Sequence, residues 1–409
     1  MKYYVYDNSK QIFLSIVWLS FFSSINLNPI EFNNFSILNK IRILVPLILI
    51  LCSVIFIKNI CYKKLIRRES IFFIIIFILY FIFNILYEHN NLANLFWPTY
   101  MFLAYFFITS MTNENEKKKL IKFTVFILFI AFTFYFAVGL MEMIKHKNPN
   151  FYGILGNNDS YSGFKNPPRS SGLARMAVIL FSYSLLYFLI KKSENINNYK
   201  ILIMIFIFAT ITNIFQARTI SFIFVVVNFI LIFFYFKKFF LNKKIFLFVL
   251  ILPLLFNSGY NYFKYNYFAE KSIGNDKFKT FDTKLNLFGH IVKNSVVRDP
   301  SEYYADGDYS SGRFSNWNKA LKIIKKEPLI GYGAQSDRIF LAQSIHNAQI
   351  YTFLSGGLIA AICFFLIYLR VLFFIIKFLI IKKLRLNFNY SLCLLLIIIF
   401  CLRSILETS

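Results

Sequence analysis

Reactive side chains in this sequence are few, and they fall in short distinctive strings. Arg169 stands in Asn166-Pro167-Pro168-Arg169-Ser170-Ser171-Gly172, Arg218 follows Gln216-Ala217, and Arg313 follows Ser311-Gly312 and precedes Trp317. His346 is followed by Asn347, and Arg403 and Glu407 lie four residues apart near the carboxyl end. Fixed guanidinium groups stabilise negative charge that develops on a departing group. A histidine, with an ordinary pKa near ~6.5, is suited to take a proton from an attacking hydroxyl. These residue types together suit a transfer reaction in which a hydroxyl attacks and an anion leaves.

Each residue also has a plain structural role open to it. Arg218 could reach lipid headgroups from the end of an apolar run. Arg313 could bind lipid phosphate, Arg403 and Glu407 could form an ion pair on one helix face, and His346-Asn347 could be a helix cap. His89, His146 and His290 have no motif around them. The familiar signatures of soluble enzymes are absent: there is no Gly-x-x-x-x-Gly-Lys loop, no His-Glu-x-x-His and no paired-cysteine zinc spacing. Asp306-Gly307-Asp308 begins like a calcium loop, but Ser311 stands at the required glycine position and Trp317 at the terminal glutamate. A solvated turn is expected there, with no metal site and no cofactor.

The elements that must position these residues are apolar. The chain has 409 residues, 58% hydrophobic and 20% aromatic, with only 16% charged, whereas soluble domains carry about 25% charged residues. Polar groups are confined to short clusters between runs whose length matches the bilayer core, about 20 residues. This excludes a soluble enzyme, a disordered chain and a secreted disulfide scaffold. The five cysteines lie in apolar runs or a short basic gap, so no disulfide framework is implied. The expected class is an all-α polytopic membrane bundle of 11 to 12 spans.

Hydropathy places spans at about 11–27, 41–57, 71–87, 92–111, 120–141, 173–190, 200–215, 219–236, 245–256, 357–381 and 388–406, the ninth extending towards Phe263. The first is read as a retained helix, because no small-residue cleavage site follows it. The net charge of +26 does not form one basic face, so no nucleic-acid partner is expected. The lysines and arginines instead fill every second gap, at 63–68, 117–119, 191–200, 237–244 and 382–385. Basic gaps are cytoplasmic, which puts the amino terminus inside and the odd gaps outside. Two outer gaps are long, about 142–172 and 257–345. The second holds 13 basic and 9 acidic residues, a mixed-charge surface. Three segments follow: a bundle at 1–256, an extracytoplasmic loop at 257–345 and terminal spans at 346–409. Within the loop, Phe314, Trp317, Leu321 and Ile324 are spaced as one face of a short amphipathic helix that stops at Glu327-Pro328.

The order of motifs carries a resemblance. Gly312-Arg313 with Trp317, then Pro328-Leu329-Ile330-Gly331-Tyr332-Gly333, His346-Asn347 and Gly356-Gly357 resemble the O-antigen ligase and polymerase family of membrane glycosyltransferases. Arg169, Arg218, Arg403 and Glu407 also take part in the resemblance, which covers about residues 160–409. It implies a GT-C-like fold and transfer of a glycan from an undecaprenyl-pyrophosphate-linked donor to an acceptor hydroxyl, at the periplasmic face of a bacterial inner membrane. On that likeness His346, Arg313 and Arg218 are the catalytic candidates. Arg169, Arg175, Trp317, Asn347, Arg403 and Glu407 are the substrate-binding candidates. The partners implied are the lipid-linked donor, a glycan acceptor, the bilayer and a chain-length regulator protein. Arginines would neutralise the diphosphate without a metal ion. A repeat-unit polymerase is favoured, with ligation to lipid A-core as the alternative. A flippase or other transporter is the alternative of a different class, disfavoured because the spans carry almost no mid-membrane charge and one large loop breaks any repeat symmetry.

The charge alternation yields the first prediction. In a cysteine-free background, a membrane-impermeant thiol reagent should label a cysteine at position 305 and not one at 240 in intact cells. The opposite pattern would invert the topology.

Overall fold

A computed structural model describes residues 68–86, 114–145, 170–191, 198–214, 218–241, 245, 247–260, 262, 313–341, 344–381, 384 and 386–406. The expected spans at 11–27, 41–57 and 92–111, and most of the expected loop, from 263 to 312, lie outside these residues. Among the described residues the fold is all-helical.

In chain order the described helices are α1 (Arg68–Leu86), α2 (Glu114–Lys145), α3 (Ser170–Lys191), α4 (Asn198–Ile214), α5 (Arg218–Leu241), α6 (Leu247–Tyr260), α7 (Arg313–Ile324), α8 (Ser336–Leu341), α9 (Ala348–Ile380) and α10 (Phe388–Leu406). Among the described residues, four segments are long and apolar enough to cross a membrane: Gly172–Ile190, Thr219–Phe236, Ala348–Ile380 and Phe388–Ile405. Helix α2 outruns the expected 120–141 at both ends, because glutamate and lysine continue a helix beyond the apolar stretch at little cost. Helix α6 opens with a widened π turn at Leu247–Ile251, just before Pro253, whose ring removes the amide donor that the residue 249 carbonyl would otherwise use.

Helix α3 is the hub, packing against α2, α4, α5 and α10. Ala174, Ala177, Phe181, Leu185 and Leu186 are wholly buried along it, and small residues at Ala174 and Ala177 let neighbouring backbones approach closely. Three buried polar side chains inside these helices return a donor to their own backbone. Ser182 Oγ donates to Val178 O at 2.7 Å, Thr212 Oγ1 to Phe208 O at 2.7 Å and Asn228 Nδ2 to Phe224 O at 2.9 Å. Unsatisfied donors are costly in an apolar medium, and this local return avoids that cost. A polar link also joins α5 to α10, Tyr235 Oη with Ser391 Oγ at 3.1 Å.

Helix α9 is not one rod. Gly357 has φ 63° and ψ −163° in its interior, a backbone region open essentially to glycine alone. Gln349 Nε2 donates to Tyr368 Oη at 3.1 Å, although 19 residues of straight helix would hold them about 28 Å apart. The chain therefore doubles back at Gly357, and residues 348–356 form a short arm folded against the longer arm 358–380. The expected span 357–381 thus begins at the apex of a helical hairpin rather than at the end of a loop. Hydropathy could not show the reversal, since both arms are apolar.

The apex is clasped by the turn Pro328–Gly333. Tyr332 N–H donates to Leu354 O at 2.9 Å, Gly333 N–H to Ser355 O at 2.8 Å and Leu358 N–H to Pro328 O at 2.8 Å. These bonds take up the carbonyls and the amide that the helix break releases. A Cβ on Gly331 (φ 77°) would stand 2.8 Å from Gly356 N, and one on Gly357 would strike the Leu329 carbonyl. Backbone meets backbone here because neither glycine has a side chain.

Replacing Gly357 with alanine should destabilise the protein by at least the cost of that backbone region, about 1 to 3 kcal/mol. Gly259→Ala, where an added Cβ meets nothing within 4 Å, should be neutral or slightly stabilising in its helix. Thermal unfolding of the two purified variants in detergent tests the pair. An unchanged transition for Gly357→Ala would show that the apex is not clasped as described.

Candidate functional site

The site is built on three residues between α8 and the short arm of α9. Ile345 is completely buried, and both of its backbone polar groups are held. Its N–H donates to Asp337 Oδ2 at 3.2 Å, and its carbonyl accepts from Trp317 Nε1 at 2.7 Å. His346 comes next with φ 54°, a left-handed backbone that non-glycine residues adopt uncommonly, histidine more readily than most. Its N–H donates to Ser344 Oγ at 3.4 Å, and its side chain is exposed.

Asn347 then caps the short arm: its Oδ1 accepts from Ile350 N–H at 2.9 Å. Its Nδ2 donates to Ile405 O at 3.0 Å, so the same side chain joins the cap to the last turn of α10. Around that junction lie Gln349, Tyr368 and Ser404. Tyr368 Oη is hydrogen-bonded to Ser404 Oγ, which also donates to Cys401 O at 2.7 Å. The fold-back of α9 therefore brings the histidine turn beside the end of α10, where Arg403 is half-buried.

Helix α7 and the turn after it wall the site. Asn316, Ala320 and Ile324 are buried, one residue per turn facing α8 and α9. Of the expected apolar face only Ile324 belongs to this packed side: Phe314 and Leu321 are exposed at 61% and 41%, and Trp317 is half-buried. Ala320, without bulk, sets the close approach that the spacing of large apolar residues hid. Phe314 packs edge-on to Trp317 with centroids 5.2 Å apart, steadying the indole that holds Ile345. Tyr332 Oη donates to Ile323 O at 3.2 Å and its ring meets Phe340 at 4.8 Å. Tyr351 Oη accepts from Gln335 N–H at 2.9 Å, and Ser336 Oγ is hydrogen-bonded to Ser355 Oγ at 3.0 Å.

Burial raises the Asp337 carboxyl above the usual carboxylate range, opposed by the amides of Ile345 and Arg338 that it accepts. Burial likewise raises the Tyr332 phenol, with the Glu327 charge adding to it. Asp337 is only 4% exposed, and nothing about a lone aspartate eight residues before Ile345 marked it in the sequence.

Of the expected site residues, His346, Asn347 and Trp317 come together, linked through Ile345. Arg313 is the first residue of α7 and is half-buried. Arg218 is the first residue of α5. Arg175 is half-buried near the start of α3. Arg169, Glu407 and the Asp306-Gly307-Asp308 triplet lie outside the described residues, as do His89, His146 and His290.

Residues 202–365 match the family model described as O-antigen ligase, consistent with the family that the motif order resembles. The matched segment includes Arg218, Arg313, Trp317, His346 and Asn347 and leaves Arg169, Arg175, Arg403 and Glu407 outside it. Among curated proteins no match was found. The family match and the membrane-spanning helices together support an integral membrane protein with a glycan-processing function.

Asn347→Ala should remove both the cap and the link to α10. Loss of the cap alone costs about 1 kcal/mol. Asn347→Ser keeps a capping oxygen and should recover part of that loss. Equal melting temperatures for wild type and Asn347→Ala would show that the junction is not stabilising.

Proposed function

Taking the match of residues 202–365 to the O-antigen ligase family as the premise, we propose that the protein is a metal-independent glycosyltransferase of surface-polysaccharide assembly. It acts at the outer face of the bacterial inner membrane and moves a glycan from an undecaprenyl-pyrophosphate donor to an acceptor sugar hydroxyl. The acceptor favoured is a second lipid-linked repeat unit, which makes the enzyme a polymerase. The observation that carries this reading is an exposed His346 on a turn whose neighbouring peptide groups are fixed by hydrogen bonds.

In the reaction, His346 takes the proton of the acceptor hydroxyl as its oxygen attacks the anomeric carbon of the donor sugar. The new carbon–oxygen bond forms as the bond to the lipid diphosphate breaks, and the electron pair leaves with the diphosphate. Arg313 and Arg218 neutralise that growing charge, each with a planar fork that matches phosphate oxygens. Arg169, Arg175 and Arg403 are further cations for substrate, with Glu407 four residues beyond Arg403. The Trp317 indole donor is engaged with Ile345 O, so any sugar contact from this residue would come from its ring.

The test is transfer by purified protein in liposomes, given lipid-linked donor and acceptor. His346→Asn is the informative variant, because asparagine also accepts a left-handed backbone. Its rate should fall by about 10² to 10⁴. Arg313→Ala should lose about 10² to 10³, and Arg313→Lys should recover little if the fork matters. His290→Ala should be active, and a chelator should leave the rate unchanged. Full activity of His346→Asn would overturn the base assignment. A chelator-sensitive reaction restored by Mg²⁺ or Mn²⁺ would move the charge neutralisation to a metal ion. Lipid A-core as the productive acceptor would make the enzyme a ligase.

A further inference from the structure

We propose that Asp337 is a positioning residue for His346, acting through the backbone of Ile345 together with the Trp317 indole. This inference rests on the reading of His346 as the base.

Ile345 is where the geometry converges. Its amide and its carbonyl belong to the two successive peptide planes that precede His346, and each plane has one side-chain partner. Asp337 Oδ2 takes the first at 3.2 Å and Trp317 Nε1 the second at 2.7 Å. The Ile345 side chain is fully buried among Ala320, Ile324 and Leu354, so the residue cannot slide. The next residue is nevertheless left-handed, at φ 54°. For an L-residue that region costs about 1 to 2 kcal/mol, and such strain persists only where the surroundings over-determine it.

Asp337 is itself fixed. It is buried at the start of α8, its Oδ1 accepts Arg338 N–H at 2.9 Å, and its neighbour Ser336 is tied to Ser355 at the α9 apex. A carboxylate offers acceptors on both oxygens, whereas an asparagine amide offers one acceptor and presents donors on the other side. Asp337→Asn is therefore nearly isosteric but must turn an N–H towards one of the two amides. The expected result is a freer peptide plane at Ile345 and a misplaced imidazole. A misplacement of about 1 Å can cost on the order of 10² in rate. Because substrate binding is not touched, the loss should fall on kcat and leave the donor KM nearly unchanged.

The experiment uses the full chain reconstituted in liposomes and compares wild type, Asp337→Asn, His346→Asn and the double variant, with Trp317→Phe as an independent probe of the second plane. We expect kcat of Asp337→Asn to fall about 10²-fold, with thermal unfolding close to wild type. The double variant should show the same residual rate as His346→Asn, since a residue acting only through the histidine has no effect once that histidine is gone. Trp317→Phe, which keeps an aromatic ring but loses the indole donor, should show the same kcat loss and the same non-additivity. This second variant carries the test if Asp337→Asn does not accumulate. Wild-type kcat in both single variants, or losses that simply multiply with that of His346→Asn, would overturn the proposal. If His346→Asn is fully active while Asp337→Asn is impaired, the base reading has failed, and Asp337 acts on something other than His346.

Discussion

Gly331 lying against Gly357, backbone on backbone, is the contact on which the rest of this arrangement depends. It lets the Pro328–Gly333 turn reach into the break of α9 and take over the hydrogen bonds that the break exposes. With those groups satisfied, α9 can reverse direction in apolar surroundings where an open break would be prohibitive. The reversal then decides everything downstream. It carries the start of the short arm back to α10, so that Asn347 can bond Ile405 O and Gln349 can bond Tyr368. A straight helix would place His346 far from that level.

A second constraint follows from the first. The short arm must be covered on its outer side, and α7 and α8 do this with small and polar residues alongside the bulk of Ile324. Ala320 and Asn316 face inward on α7, and Ser336 meets Ser355. The close approach brings Trp317 and Asp337 within reach of one peptide unit on either side of Ile345. The cover of the arm and the support of the histidine turn are thus the same layer of structure.

Much of this is legible in the sequence, and the rest is hidden for definable physical reasons. An uninterrupted apolar run of bilayer length is hard to place anywhere but in a membrane helix, and helices occupy the expected spans from 71 onward that fall among the described residues. The helix from Arg313 and its stop before Pro328 follow from period and proline. Its buried face does not, because Ala320 contributes little hydrophobicity and gains its burial from tight packing. The glycine pair 356–357 reads as the opening of a span. Local pattern cannot distinguish a helix start from a hairpin apex when both flanks are apolar. Among the site residues, motif order suggests the association of Trp317 with His346 and Asn347, yet the order says nothing of the bond that makes it. Asp337 could not be singled out at all. It is one of nine acidic residues in its loop, and it is set apart by burial and by its reach to the Ile345 amide.

Strain is where these layers meet. Asparagine caps and indole donors recur in many folds without marking a site, and a left-handed residue in a loose turn can relax. Here a residue with an unfavourable backbone also carries the exposed imidazole, and relaxation would require breaking the Asp337 or Trp317 bond or expelling Ile345 from its packed position. Both supports engage main-chain atoms of Ile345, one residue before His346. A general base needs that separation between what holds it and what it reacts with. The backbone clasp at Gly357 fixes the short arm and, through Ser355 and Ser336, the start of α8, and so gives those supports something rigid to stand on.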